Sequence, residues 1–251
     1  MKGNLKIFLA IATLALAALA CQAVAGGPTN SNSNTVVPAD TNVPDVNIPA
    51  SPTQTEVPVS NSDSLLEDDF SEGRTKWGTG TDADSAVEYV DDALNFQVFT
   101  QNYIVWTTPN DSDYENVHME VTVINNGTDS NTAFGFQCDM QHPITDSHYY
   151  FAVTAGGQYA IAKAALALDD VFLTNNDEWA DSDLIAKDAA SYHIGADCGN
   201  GKLTLYVDGQ QIASVDDTSY TSGGIALFAW SAKDATNTNV SFDDFTMTQL
   251  P

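Results

Sequence analysis

Val117-His118-Met119-Glu120-Val121-Thr122-Val123 alternates apolar and polar residues without a break. Successive side chains of a strand point to opposite faces, so one face of this segment carries Val117, Met119, Val121 and Val123 and the other His118, Glu120 and Thr122. The same period recurs in Leu94-Phe96-Val98, Phe134-Phe136-Cys138, Tyr149-Phe151-Val153, Ile194-Ala196-Cys198, Leu203-Leu205-Val207 and Ile225-Leu227-Ala229. Between such runs stand Asn126-Gly127, Gly156-Gly157, Asn200-Gly201 and Asp208-Gly209, pairs that supply the positive φ angles of tight hairpins. The spacing predicts roughly a dozen strands joined mostly by hairpins. One longer irregular insert covers residues 164–190, and within it Ala164–Leu168 predicts a helical turn. No helical period is sustained anywhere. The fold class that follows is all-β, an antiparallel two-sheet β-sandwich of jelly-roll character.

Working outward, residues 63–251 are long enough for one such domain. The domain opens Leu66-Glu67-Asp68-Asp69-Phe70 and closes Phe242-Asp243-Asp244-Phe245, which predicts paired terminal strands that each insert a Phe. Val240 and Phe242 share one phase while Phe245 and Met247 take the other, so a bulge is expected between them.

Of the 251 residues, 34 are acidic and 8 basic, a formal net charge of −26. Nucleic acid is excluded as a partner, because binding it depends on Lys and Arg displacing counterions. Asp outnumbers Glu 27 to 7. Asp competes with helical hydrogen bonding and favours turns, so this ratio also speaks for a loop-rich β-protein.

Residues 1–20 carry Lys2 and Lys6 followed by the apolar run Ile7–Ala20. A short apolar run behind a basic start, ending in small residues, reads as a secretory signal rather than a membrane-spanning helix. Leu19-Ala20-Cys21 resembles a bacterial lipobox, with Ala18 where Leu is usual. The resemblance implies that Cys21 is lipidated and that the chain is cut before it. Processing would leave 6 basic and 34 acidic side chains, a net of −28. Residues 21–62 contain six of the nine prolines and no aromatic residue. Such a segment buries too little apolar surface to offset its ordering entropy and is expected to be a disordered linker. The implied address is the outer face of a bacterial membrane, with the lipid as the only membrane contact.

Asp69-Phe70-Ser71 followed by Trp77, the run Tyr149-Tyr150-Phe151, the turn to Tyr159, the stretch Cys198–Gly209 and the closing Phe242-Asp243-Asp244-Phe245 together resemble the concanavalin A-like lectin/glucanase superfamily, specifically the laminin-G-like sandwiches of bacterial surface lipoproteins. The resemblance covers nearly all of the domain and none of the linker. It implies fold more than activity, since these motifs are structural.

With Cys21 committed to lipid, Cys138 and Cys198 each lie on the apolar phase of a strand. In an exported chain they form either a disulfide or two buried thiols, and the disulfide is the expectation. Glu67-x-Asp69-x-x-Glu72 matches the spacing of laminarinase-like retaining glycosidases, whose paired carboxylates flank the scissile bond. Here it falls on the first strand of the domain, so no catalytic residue is assigned. Asp68, Asp69, Asp243 and Asp244 would gather if the termini pair, and oxygen-only clusters suit a structural Ca²⁺; solvated turn carboxylates are the alternative. No other cofactor is implied. The four histidines show no zinc spacing, and no Gly-x-Ser-x-Gly elbow is present.

Gln137, Asp139, Tyr150, Tyr206 and Trp230 take the phase opposite the core, and Trp179 lies in the acidic insert. Sugar rings present flat C–H faces to aromatic rings while amides and carboxylates read their hydroxyls. These six are therefore the candidate ligand-binding residues. The function expected is non-catalytic binding of a neutral carbohydrate or a surface protein. The alternatives are a glycan-processing hydrolase of the same superfamily or a purely structural surface module.

Overall fold

The computed structural model describes residues 64–71, 76–142, 146–235 and 237–251. The leader, the linker with Cys21, and Glu72 lie outside them. Sixteen strands and no helix occur among the described residues. They are β1 (Ser64–Asp68), β2 (Gly80–Thr81), β3 (Ser85–Val90), β4 (Ala93–Val98), β5 (Tyr103–Thr107), β6 (Val117–Asn125), β7 (Ala133–Met140) and β8 (His148–Thr154). There follow β9 (Gln158–Ala164), β10 (Val171–Phe172), β11 (Ala180–Asp181), β12 (Ser191–Gly199), β13 (Lys202–Val207), β14 (Gln210–Asp216), β15 (Gly224–Ser231) and β16 (Thr238–Gln249).

Two antiparallel sheets result. The first runs β14-β13-β12-β6-β16-β4-β3-β2, with β1 also paired to β16; the second runs β10-β9-β8-β7-β15-β5, with β11 paired to β9. The quoted stretch on β6 is central: Val117, Met119, Val121 and Val123 are at most 2% exposed. They face Phe134, Phe136, Phe151, Leu227 and Ile161 of the other sheet in one apolar core. An all-β sandwich is what the alternation required, and it is what forms.

The hairpins follow local chemistry. Asn200-Gly201 and Asp208-Gly209 both have positive φ at each residue and join β12 to β13 and β13 to β14. Asp91-Asp92 does the same between β3 and β4, with φ of 52° and 59°. Asn126-Gly127 is no hairpin: the chain leaves the first sheet there, and β7 belongs to the second. Ala164–Leu168 does not coil either. The Leu168 N–H donates to the Ala165 carbonyl at 3.0 Å and Ala167 sits at φ 60°, a tight turn rather than a helical one.

The chain ends of the domain meet as expected. β1 pairs with the second half of β16, placing Asp68 opposite Phe245, and the register of β16 shifts between Asp243 and Thr246, where Asp244 has φ 51°. That shift turns Phe245 inward onto Trp77, edge to face at 5.1 Å, while Phe70 packs on the same indole at 6.0 Å. The two cysteines are joined: Cys138 on β7 and Cys198 on β12 form a disulfide that ties one sheet to the other.

Candidate functional site

On the second sheet the phase opposite the core carries Ala133, Gly135 and Gln137 from β7, Tyr150 and Ala152 from β8, Phe228 and Trp230 from β15, and Ile104 and Trp106 from β5. Register sets them in rows. Trp230 lies opposite Ala133 and Ile104, Phe228 opposite Gly135 and Trp106, and Gln137 opposite Tyr150 and Ala226. Small residues at the centre with large ones at the sides make a trough. Gly135 is obligatory here, since a Cβ would run into the Phe151 carbonyl and come within 3.3 Å of the Phe228 ring.

The insert supplies the far wall. β10 and β11 both pair with β9, and the segment between them loops beside the trough. Asn175, Asn176 and Asp177 all adopt positive φ, and the Asn175 amide donates to the Trp179 carbonyl at 2.6 Å while Asp177 accepts from the Phe172 N–H at 2.7 Å. These bonds present Trp179, which stacks on Trp230 with centroids 6.4 Å apart and planes at 20°, and is backed by Phe172 at 5.6 Å. The resulting groove holds about 480 Å³ and is lined by Trp106, Tyr150, Trp179, Phe228, Trp230 and Gln137 among others. The edge of the groove on β5 is open: Ile104 and Trp106 are 42% and 39% exposed.

Two polar groups face this space with different standing. The Tyr150 hydroxyl donates to Asp170 Oδ2 at 3.1 Å, and burial together with the Asp170 charge holds the phenol far above its ordinary range, so it stays protonated. Gln137 is 1% exposed, and its Oε1 accepts no hydrogen bond among the described residues. Buried amide oxygens are nearly always satisfied, so an orphan at a groove floor stands out. Besides Tyr150, the ionisable lining residues are Asp146, Asp170 and His148, with no Lys or Arg.

Four of the six residues singled out in the sequence (Gln137, Tyr150, Trp179 and Trp230) thus line one groove. The other two do not. Asp139 has φ 50°, which breaks the alternation of β7, and its side chain lines a separate cavity of about 300 Å³ with Glu115, Tyr149 and Asp217. There it is 5% exposed, and burial, reinforced by the Glu115 charge, pushes its carboxyl up to about 6. It lies within 4.8 Å of Cys138 and Cys198, but the disulfide leaves those sulfurs no thiolate with which to bind a metal. Tyr206 is on the opposite sheet: its hydroxyl donates to Asp197 Oδ2 at 2.7 Å, and Asp197 Oδ1 is 2.6 Å from His118 Nδ1.

The terminal carboxylates are near one another without forming a tight set. Asp69 Oδ1 accepts from the Ser71 N–H and hydroxyl at 3.1 and 2.8 Å, and Asp68 is 3.7 Å from Lys76 Nζ. Burial raises the Asp243 carboxyl, with Asp244, Asp69 and Asp92 adding to the effect. Among the described residues, no three of these side chains bring ligand atoms within 4.8 Å of one another. Glu67 lies on β1 in the first sheet, away from the groove.

The sequence reading missed Trp106, Phe228, Phe172 and Asp170. Phe228 carried a signal, since it sits on the outward phase of the Ile225-Leu227-Ala229 run, where a large apolar residue needs a reason; Trp106 ends the unbroken apolar run Tyr103-Ile104-Val105-Trp106, which has no phase to read. Phe172 and Asp170 carried none, because they reach the groove only through the path of the insert.

The sequence matches no protein-family model, and it matches no curated protein. Solved structures do resemble it. A carbohydrate-binding module from Bacillus subtilis superposes over 70% of this chain and 96% of its own, with a TM-score of 0.52 at 14% identity. A Bacillus subtilis protein of unknown function with a galectin-like fold covers 74% and 96%, with a TM-score of 0.55 at 10% identity. A laminarinase from Flavobacterium sp. UMI-01 covers 74% and 100%, with a TM-score of 0.52 at 9% identity. Overlap with nearly the whole length of such structures, together with the two antiparallel sheets, settles the architecture: the domain has the concanavalin A-like jelly-roll sandwich fold.

Proposed function

We propose that the domain is a non-catalytic module that binds neutral carbohydrate, displayed on the outer face of a bacterial membrane through lipid on Cys21. The observation that carries this reading is the groove walled by the stacked Trp179 and Trp230 and floored by small residues. Aromatic rings give sugar C–H faces a large apolar contact at little entropic cost, and a few fixed polar groups then set orientation. Tyr150, held by Asp170, and Gln137 are such groups. Carboxylates without a Lys or Arg in the lining repel uronic acids and sulfated sugars, and the net charge of −26 extends that repulsion over the surface. The fold shared with a carbohydrate-binding module and a laminarinase supports the same class of ligand.

Affinity electrophoresis through a panel of soluble polysaccharides tests it. At least one neutral glycan should retard the protein, Trp230→Ala should abolish the retardation, and the glycan should gain no new reducing ends. Failure of every glycan to retard the wild type refutes the binding reading, and new reducing ends replace it with a hydrolase. Mass spectrometry of the chain purified from membranes tests the anchor: an uncut leader with a bare Cys21 thiol refutes it.

A further inference from the structure

Resting on that reading, we infer that the groove recognises an uncharged oligosaccharide of more than two rings, stacked at one end on Trp230 and Trp179 and donating a hydrogen bond at the other to Gln137 Oε1. Two observations carry this. The first is the orphan itself. Leaving a buried amide oxygen unpaired costs about 1–3 kcal/mol. Gln137 lies nonetheless between Tyr150 and Ala226 on the two neighbouring strands and lines the groove, with its oxygen buried and unpaired. A turn of the carboxamide brings the oxygen to the groove, where a donor arriving with the ligand, a hydroxyl or an acetamido N–H, removes that cost.

The second observation is the spacing. Trp230 is opposite Ala133, four residues before Gln137 on the same strand. At about 3.3 Å per residue the indole platform and the amide are about 13 Å apart along β7, further than one or two pyranose rings reach. The floor between them is Gly135 and Ala152, with Phe228 alongside Gly135. It offers no hydrogen-bonding side chain and lets a ring settle close to the sheet. A single sugar can use the platform or the amide; only a chain uses both.

The test is calorimetric titration with the cello-, laminari-, xylo- and chito-oligosaccharide series from one to five units, on wild type, Gln137→Leu, Gln137→Glu and Trp230→Ala. In one series the affinity should rise at least about tenfold between one and three units, the worth of one well-made buried hydrogen bond. Gln137→Leu should remove that rise, while Gln137→Glu, which keeps an acceptor, retains part of it. The ligand-free melting temperature of Gln137→Leu should equal or exceed wild type, because an unpaired polar group has gone; a purely structural Gln137 would give the reverse. A preferred chito series identifies the donor as acetamido N–H, and any other as hydroxyl. Affinity independent of chain length, or unaffected by Gln137→Leu, overturns the inference while Trp230-dependent binding leaves the carbohydrate reading standing. If no series binds, both fall.

Discussion

Removing the Cys138–Cys198 bond should cost the domain about 4 kcal/mol. The bridge closes a loop with a sequence separation of 60. In the chain-entropy description a cross-link of that span removes about 4 kcal/mol of freedom from the unfolded chain. Both cysteines are 0% exposed, so substituting them also deletes packed sulfur. Comparing oxidised with reduced wild type, alongside the Cys138→Ala/Cys198→Ala double variant, separates the two contributions. For a domain of this size 1 kcal/mol moves the melting temperature by about 2–4 °C, so reduction should lower it by roughly 10 °C. Urea unfolding should show a steeper slope for the reduced chain, which exposes more surface once the loop is released. The groove lies on the outer side of the second sheet, so glycan binding at 25 °C should survive while the protein remains folded. A loss below about 1 kcal/mol with unchanged slope would refute the entropic reasoning. Two free thiols titrated in unreduced protein would refute the bond itself.

Further expectations concern charge and sterics. Asp139 has a folded value of about 6 against 3.8 unperturbed, so the folded state holds the proton more tightly. Stability from this group is full below pH 4 and is lost as pH rises through 6, by about 3 kcal/mol at most. Asp139→Asn should be the more stable protein at pH 7, with the advantage over wild type largely gone by about pH 3.5; urea midpoints that differ equally at both pH values would refute this. Gly135→Ala forces a Cβ against the Phe151 carbonyl and should cost at least about 2 kcal/mol, read as a lowered melting temperature. Trp106→Ala, at the open edge, should weaken glycan retardation several-fold with the melting temperature within about 2 °C of wild type. Tyr206→Phe, on the opposite sheet, should leave retardation unchanged and lose at most about 1 kcal/mol with its bond to Asp197.

What the sequence disclosed follows from what period-two alternation encodes. It tells which side of a strand a residue takes, so Phe134, Phe136 and Cys138 were placed inward, and the break of phase after Phe242 disclosed the bulge. It does not tell which sheet a strand joins. Gln137 and Tyr206 share a phase yet stand on opposite outer faces of the sandwich, and only topology distinguishes them. Nor does it register a single left-handed residue: Asp139 and Ala167 each redirect the chain through a positive φ with no glycine to announce it. Asp91-Asp92 forms a hairpin without glycine for the same reason, while Asn126-Gly127, which looks like one, lies on the path between sheets. Trp179 was visible as a candidate, but its stacking on Trp230 depends on capping bonds within the insert that no simple pattern encodes.

Strand β7 holds the trough's floor on one side and a sulfur rivet on the other, at consecutive residues Gln137 and Cys138. A bed fastened in this way to the layer beneath cannot bow to suit its cargo, since bending it would drag β12 along. Accommodation of a differently shaped guest falls instead to the Phe172–Trp179 arch, which hangs from two strands of only two residues each. Retuning this scaffold toward another guest is therefore a matter of rewriting the arch and leaving the bed alone.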